Sequence, residues 1–176
     1  MRSFEFTIIA HGVDTSDDLF VDRFFEAGCD DALVTVIKGT VALDFTREAK
    51  NFSHAVTSAI RDVRAAGARV VRIEPDPYVS ISDIAERTGL TRQAISLFAS
   101  GQRGPGDFPA PRLRVTTDSP LWDWLSVARW LRDHEKHLDR EALVAAAISR
   151  AINAELQGED GDAERPKRLS RLLAAA

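Results

Sequence analysis

The sequence predicts an α+β protein with two domains followed by a carboxy-terminal helix. Three observations support this prediction: strand and helix patterns alternate over residues 1–76, two prolines then interrupt the chain, and short amphipathic helices follow. The 176 residues suffice for two small domains, and 44% hydrophobic with 28% charged residues is an ordinary globular balance. We therefore expect a packed core in each domain.

The first domain, residues 1–76, shows the patterns of four strands and two helices. The strands show period-2 alternation or β-rich runs, and the helices have apolar residues at helical spacing. Lys38-Gly39 joins two of the strands and is typical of a two-residue hairpin turn. The order β-α-β-β-α-β is that of the ferredoxin-like arrangement. The predicted strands are 4–8, 33–37, 40–45 and 69–73, and the predicted helices are 19–25 and 53–67.

The second domain, residues 77–138, begins after the proline-rich junction 74–77, where Pro removes backbone donors and favours an extended connection. A first helix, 81–88, starts with the capping box Ser80-x-x-Asp83 and ends at Gly89, and Thr91 caps a second helix. Two short helices joined by a tight turn containing glycine form a helix-turn-helix unit, whose second helix enters the major groove of DNA.

The outward face of the second helix carries side chains suited to reading DNA. Arginine makes bidentate bonds to guanine and glutamine to adenine, while serine and threonine reach base edges or phosphates. The apolar side chains at 84, 90, 95 and 98 are spaced to hold the two helices together. The residues predicted to face DNA are Thr91, Arg92, Gln93, Ser96 and Ser100.

Positive charge is concentrated in the same part of the chain. The formal net charge of the whole protein is −4, but residues 87–114 carry five arginines against Asp107 alone. A local basic segment of this kind favours contact with phosphates even where the protein as a whole is acidic.

Three motifs follow one another in residues 79–133. They are Ser-Ile-Ser-Asp-Ile-Ala-Glu-Arg-Thr-Gly-Leu-Thr-Arg-Gln-Ala-Ile at 80–95, Phe-Pro-Ala-Pro at 108–111, and Leu-Trp-Asp-Trp at 121–124 followed by Val-Ala-Arg-Trp-Leu at 127–131. Together they resemble the winged helix-turn-helix domain of the MerR and AlpA/excisionase families. The resemblance implies that a β-hairpin wing follows the Phe-Pro-x-Pro segment and that the next helix packs back on the core. It also implies base reading by Arg92, Gln93 and Ser96, and phosphate contacts by Arg103, Arg112 and Arg114.

The end of the chain adds a helix and a polar tail. We expect the wing strands at 112–115 and 121–124, and a helix from 125 to 132. A further amphipathic helix at 139–157 has a continuous apolar stripe, which either packs within the chain or pairs with a second copy. The tail, 158–176, is expected to be flexible, because its first part, up to residue 166, is polar and acidic.

The sequence contains no convincing catalytic, cofactor or metal site. The acidic residues of the first domain lie where caps and turns favour them, and His134 with His137 lies among charged residues typical of a solvated face. Cys29 is the single cysteine, which excludes an internal disulfide and a multi-cysteine zinc site. Because the sequence has no membrane-spanning run and no signal peptide, it predicts a cytoplasmic protein. Because it has no convincing catalytic constellation, it predicts a protein that is not an enzyme.

These observations predict a sequence-specific double-stranded DNA-binding transcriptional regulator that acts as a homodimer on an inverted repeat. One alternative is an antitoxin that represses its own operon, because a small α/β domain joined to a DNA-binding module has the layout of HicB-type antitoxins. A second alternative is an excisionase-like factor that bends DNA. The sequence leaves open whether residues 1–76 dimerise, bind a small ligand or bind a protein partner.

Overall fold

The computed structural model describes residues 1–134 and 140–161. These residues form six helices, a four-stranded antiparallel sheet and a separate pair of short strands, which confirms the predicted α+β class. The chain divides into two compact units. Of the described residues, unit 1 comprises 1–75 together with 151–161, and unit 2 comprises 76–134 together with 140–150.

The elements follow the chain in the order β-α-β-β-α-β in unit 1 and β-α-α-β-α in unit 2, and a long helix then belongs to both. Unit 1 contains β1 (Arg2–His11), α1 (Phe20–Glu26), β2 (Ala32–Ile37), β3 (Thr40–Ala49), α2 (Phe52–Ala65) and β4 (Arg69–Glu74). Unit 2 contains β5 (Tyr78–Val79), α3 (Ile81–Thr88), α4 (Arg92–Ala99), β6 (Trp122–Asp123) and α5 (Trp124–Asp133). The long helix is α6 (Arg140–Gly161).

The sheet of unit 1 has the strand order β2-β3-β1-β4, and every neighbouring pair is antiparallel. One face of the sheet is apolar because alternate side chains of the paired strands face the same way. Phe6 and Phe45, for example, are directly paired and stack with their ring centroids 5.3 Å apart. Helix α2 packs on β1, β3 and β4 through its buried stripe. That stripe consists of Ala55, Val56, Ala59, Ile60 and Val63.

The hairpin predicted at Lys38-Gly39 is confirmed. Lys38 has φ 52° and Gly39 has φ 79°, and Ile37 pairs with Thr40 on either side of the turn. Two successive residues with positive φ form the type of turn whose twist matches that of the flanking strands. Local turn chemistry therefore fixes the register of β2 against β3.

The core of unit 2 is built around aromatic side chains. Trp122, Trp124 and Trp130 are buried with Phe98 and with the apolar faces of α3, α4 and α5. The first part of α6 completes this core through Leu143 and Ala146, while Ile152 and Leu156, farther along the helix, are also buried. Most of the apolar stripe of α6 is therefore covered within one chain.

Two segments differ from the sequence prediction. The predicted strand at 121–124 is shorter, because Asp123 accepts a hydrogen bond from the backbone N of Ser126 at 2.9 Å and caps α5, so that Trp124 is already helical. Its partner is β5, and the segment 112–115 contributes only one bridge, between Leu113 and Leu121.

The helix predicted to end at 157 continues to Gly161, since Gln157–Gly161 contains no proline to stop it. The remainder of the predicted tail, 162–176, lies outside the described residues. In the part of the chain that the structure describes, no helix is long and apolar enough to cross a membrane.

Candidate nucleic-acid interface

Helices α3 and α4 are set by their caps and by the turn between them. The hydroxyl of Ser80 accepts a hydrogen bond from the backbone N of Asp83 at 3.2 Å, and the Asp83 carboxylate accepts one from the backbone N of Ser80 at 2.7 Å. Gly89 ends α3 with φ 69°, and the Thr91 hydroxyl accepts from the backbone N of Ala94 at 3.1 Å. The predicted capping box, the helix 81–88 and the cap at Thr91 are therefore confirmed, while α4 ends at Ala99 and not at Ser100 as the sequence predicts.

The buried face of α4 decides which of its residues face solvent. Ile95 and Phe98 are buried in the core of unit 2, next to Ile84 and Ala85 of α3. Positions on the opposite side of the helix then point outward, while Ala94, Leu97 and Ala99 are half-buried at its sides. All five side chains of this helix and its caps that were predicted to face DNA are exposed: Thr91, Arg92, Gln93, Ser96 and Ser100.

An open groove of about 410 Å³ runs along this exposed face. Arg92, Gln93 and Ser96 of α4 form one wall. The start of α3 and the segment that precedes β6 form the rest. The groove thus combines a guanidinium, an amide and several hydroxyl groups in one polar surface. Its other lining residues are Ser80, Ile81, Ser82, Asp118, Ser119, Pro120 and Trp122.

Two of the predicted contacts lie at the ends of α4 and outside this groove. Thr91 is the N-cap, so its hydroxyl oxygen already accepts a backbone hydrogen bond. Ser100 is the C-cap, and its hydroxyl donates to the carbonyl of Leu97 at 3.3 Å. Both side chains are exposed, and each also forms a hydrogen bond that caps an end of α4.

The three arginines predicted to contact phosphate are exposed but lie apart from the groove lining. The guanidinium of Arg103 lies over the ring of Phe98, 5.3 Å from its centroid. Arg112 and Arg114 belong to the link 112–121, which Leu113 and Leu121 close through backbone hydrogen bonds of 3.1 and 2.9 Å. Arg114 has φ 52°, which allows the chain to turn there.

The glycine-rich link 101–107 is exposed throughout, but parts of it contact the core of unit 2. The indole Nε1 of Trp130 donates to the Asp107 carboxylate at 2.7 Å, and the ring of Phe108 stacks with Phe98 at 6.4 Å between centroids. Trp130 contacts both of these rings, with centroid distances of 5.2 and 5.0 Å. The link therefore contacts the carboxy-terminal end of α4, where Phe98 lies.

The fifth arginine of the basic segment, Arg87, is not part of the exposed surface. Its guanidinium lies over the Trp124 ring, 5.1 Å from the centroid, and donates to the carbonyl of Asp76 at 3.2 Å. Burial lowers the pKa of Arg87, with the nearby carboxylates acting in the opposite direction. The exposed positive charge of residues 87–114 therefore comes from the four arginines that the sequence prediction named.

Asp118, Ser119 and Ser82 were not predicted as site residues. Asp118 and Ser119 follow α4 by about twenty residues of irregular chain, and the bridge between Leu113 and Leu121 folds that chain back beside the helix. No periodic pattern in the sequence marks such a segment. Ser82 lies in the first turn of α3, where its exposure depends on how α4 packs.

Unit 1 contains a second polar cluster, centred on the buried guanidinium of Arg47. Its five N–H donors all have acceptors: Asp31 receives two bonds of 2.8 Å, Asp62 one of 2.7 Å, the Ser58 hydroxyl one of 3.0 Å and the carbonyl of Gly28 one of 2.7 Å. Burial acts to lower the pKa of Arg47, but the bonds from the two carboxylates outweigh it and raise the pKa. All N–H donors of Arg47 are therefore used within the protein, and none is left for a ligand. The bonds join β3 to α2 through Ser58 and Asp62, and to the segment before β2 through Gly28 and Asp31.

Within residues 1–134 and 140–161, no group of three or more His, Cys, Asp or Glu side chains is placed to hold a metal ion. His134 stacks on Trp130 at 4.3 Å and its Nδ1 lies 2.8 Å from the carbonyl of the same residue. His137 lies outside the described residues. Comparison of the chain with protein-family models, curated proteins and solved structures finds no match.

Proposed function

We propose that the protein is a sequence-specific double-stranded DNA-binding transcriptional regulator that binds an inverted repeat as a homodimer. In this proposal unit 2 is a winged helix-turn-helix domain, with α3 and α4 as its two helices and the link 112–121 as a short wing. Unit 1 is a ferredoxin-like domain, which the strand order β2-β3-β1-β4 with antiparallel pairing supports.

One observation carries the proposal: Arg92, Gln93 and Ser96 are exposed together in one groove at the amino-terminal half of α4. The first residues of the second helix are those that contact base edges in helix-turn-helix proteins. An arginine and a glutamine there can each make a bidentate contact, to guanine and to adenine respectively. A helical hairpin without a DNA-binding role would not be expected to present these three side chains together on one concave surface.

The exposed arginines outside the groove suit a second role. Arg103, Arg112 and Arg114 follow α4 in sequence and are exposed without lining the groove, as expected for contacts to phosphate. Asp118 is a carboxylate inside the groove, where it repels phosphate and can accept a hydrogen bond from cytosine N4. We therefore assign affinity mainly to the three arginines and sequence preference to the groove.

Selection from a randomised duplex pool, followed by sequencing of the retained DNA, tests the proposal. We expect an enriched inverted repeat with the wild-type protein and no enrichment with Arg92→Ala/Gln93→Ala. The control is Lys50→Ala, which removes one exposed charge from unit 1 and should retain the same motif. Failure to retain any duplex at low salt would overturn the proposal, and retention without enrichment would replace it with architectural binding.

Single substitutions separate the two roles. Arg92→Ala should cost about 1–3 kcal/mol on the selected site and little on random DNA, since it removes a base contact. Arg112→Ala should weaken both duplexes alike and reduce the salt dependence of binding by about one phosphate contact. Fluorescence anisotropy at several salt concentrations measures both effects. Equal losses on both duplexes for Arg92→Ala would remove it from base reading.

A further inference from the structure

The two edges of the unit 1 sheet differ in how they are protected. At the β4 edge, the side-chain amide of Asn153 forms two hydrogen bonds with the backbone of Ile73, and the strand carries three charged residues. Charged side chains and covering elements are the usual means by which sheet edges avoid pairing. The β2 edge, Ala32–Ile37, has no charged residue and no proline, and its register against β3 shows no bulge.

The exposed side chains of β2 are apolar. Leu33 is 65% exposed, Ile37 57% and Val36 44%. Leu33 and Ile37 lie on the face of the sheet that α2 does not cover, because they pair with Asp44 and Thr40, whereas Val36 pairs with the core residue Val41. An unprotected edge with exposed apolar side chains is a site for pairing with another strand.

The backbone groups available at this edge can be derived from the hairpin. A two-residue turn closes on a hydrogen-bonded pair, here Ile37 and Thr40, and such pairs alternate along an antiparallel ladder. The odd-numbered residues of β2 therefore bond to β3, and the backbone N of Thr46 donates to the carbonyl of Asp31 in agreement with this parity. The N–H and C=O groups of Val34 and Val36 point away from β3.

We propose that β2 pairs antiparallel with β2 of a second copy of this chain, in a register centred on Val34. Only registers that oppose two outward-facing residues form a ladder, and this one places Val34 opposite its own counterpart. It also places Asp30, which is exposed before the strand, opposite the exposed Lys38 of the second copy at each end of the interface. The strand is thus complementary to itself in hydrogen bonding, hydrophobicity and charge.

This inference deepens the proposed function, because it names the surface that joins the two copies on an inverted repeat. It does not depend on DNA for its test. Sedimentation velocity of the full chain without DNA, at micromolar concentrations, should show a dimer. A monomer at every concentration would overturn the inference. The DNA-binding proposal would still be tested separately, by selection from the duplex pool.

Charge exchange at the strand ends gives the decisive comparison. Asp30→Lys and Lys38→Glu each place like charges opposite one another at both ends of the interface, so each should raise the dimer dissociation constant by about tenfold. The double variant Asp30→Lys/Lys38→Glu restores opposite charges and should return the constant to within about threefold of wild type. If the double variant remains as weak as the single variants, the register is wrong and the inference fails.

A further pair of variants identifies the surface without using the charge pattern. Leu33→Lys adds a charge in the middle of the edge at an exposed position, and it should dissociate the dimer while leaving the far-UV circular dichroism spectrum of the folded chain unchanged. Val144→Lys is the matched control, since Val144 is 48% exposed on α6. Dissociation by Val144→Lys but not by Leu33→Lys would overturn the inference and assign the interface to α6.

Discussion

The side-chain amide of Asn153 closes the outer edge of β4 by bonding to both backbone groups of Ile73. Its Oδ1 accepts from the backbone N of Ile73 at 2.8 Å, and its Nδ2 donates to the Ile73 carbonyl at 2.9 Å. Asn153 is 2% exposed and Ile73 is fully buried. An amide side chain carries the same donor and acceptor as a peptide group, so Asn153 replaces one residue of a neighbouring strand.

Asn153→Ala should lower the free energy of unfolding by about 2–4 kcal/mol, because it leaves a buried N–H and a buried C=O without partners. Urea denaturation followed by circular dichroism measures the change. Gln157→Ala, at an exposed position one turn farther along the same helix, is the control and should change the midpoint little. Equal midpoints for Asn153→Ala and the wild type would mean that the edge of β4 does not need this amide.

Arg47→Ala should lower the free energy of unfolding by about 3–5 kcal/mol, because it leaves two carboxylates of the cluster without their buried partner. Arg61 provides the matched control, since it contacts the same Asp62 at 3.0 Å but its side chain is 74% exposed. Arg61→Ala should cost less than about 1 kcal/mol. Urea midpoints compare the two variants, and similar losses for both would show that the burial of Arg47 is not what makes its contacts important.

The thiol of Cys29 should make stability depend on alkaline pH. Burial, with the nearby carboxylate of Asp62 acting in the same direction, raises the pKa of Cys29 to about 11 from an ordinary value near 9. The unfolded chain therefore releases the thiol proton at a lower pH than the folded chain, so the contribution is complete below about pH 9 and is lost as the pH rises toward 11.

The difference in urea midpoint between wild type and Cys29→Ala isolates this effect, because other groups titrate in both proteins. We expect the advantage of the wild type to be smaller at about pH 10.5 than at about pH 8. A constant advantage across that range would contradict a raised pKa for the buried thiol. Alkylation of the folded protein at the lower pH, which should be slow, gives an independent check.

Elements set by local chemistry were predictable from the sequence. The capping box at Ser80 and Asp83, the left-handed Gly89 and the turn at Lys38-Gly39 each depend on residues within four positions of one another. The exposure of Arg92, Gln93 and Ser96 followed from the apolar spacing of α4. Such features need no knowledge of the rest of the chain, because the side chains that satisfy the backbone are close in sequence.

Features that depend on distant pairing were not predictable in the same way. β5 and β6 have two residues each, which is too short for a periodic signal, and they pair across more than forty residues. Asn153 and Ile73 are 80 residues apart, and nothing around Asn153 distinguishes it from a polar residue on a helix. Asp118 joins the groove because the chain folds back between Leu113 and Leu121, which pair with each other.

Gly104 and Gly106 provide a test of how the glycine-rich link supports α4. Both have left-handed backbones, with φ +82° and +84°, but a Cβ at Gly104 would lie 3.3 Å from Cδ1 of the buried Phe98, whereas a Cβ at Gly106 would meet no atom within 4 Å. Alanine at either position should therefore lower the free energy of unfolding by the same amount through backbone strain, roughly 1–2 kcal/mol. Only Gly104→Ala also displaces a ring in the core of unit 2.

We expect Gly104→Ala to lose roughly 1 kcal/mol more in the free energy of unfolding than Gly106→Ala, since Phe98 is held between Trp130 and Phe108 and cannot move without repacking. Urea denaturation monitored by tryptophan fluorescence reports on this core, because Trp130 contacts the displaced ring. Equal losses for the two variants would show that only backbone strain matters at these glycines. The link would then be a passive connection, because its packing on Phe98 would contribute nothing to holding α4 in place.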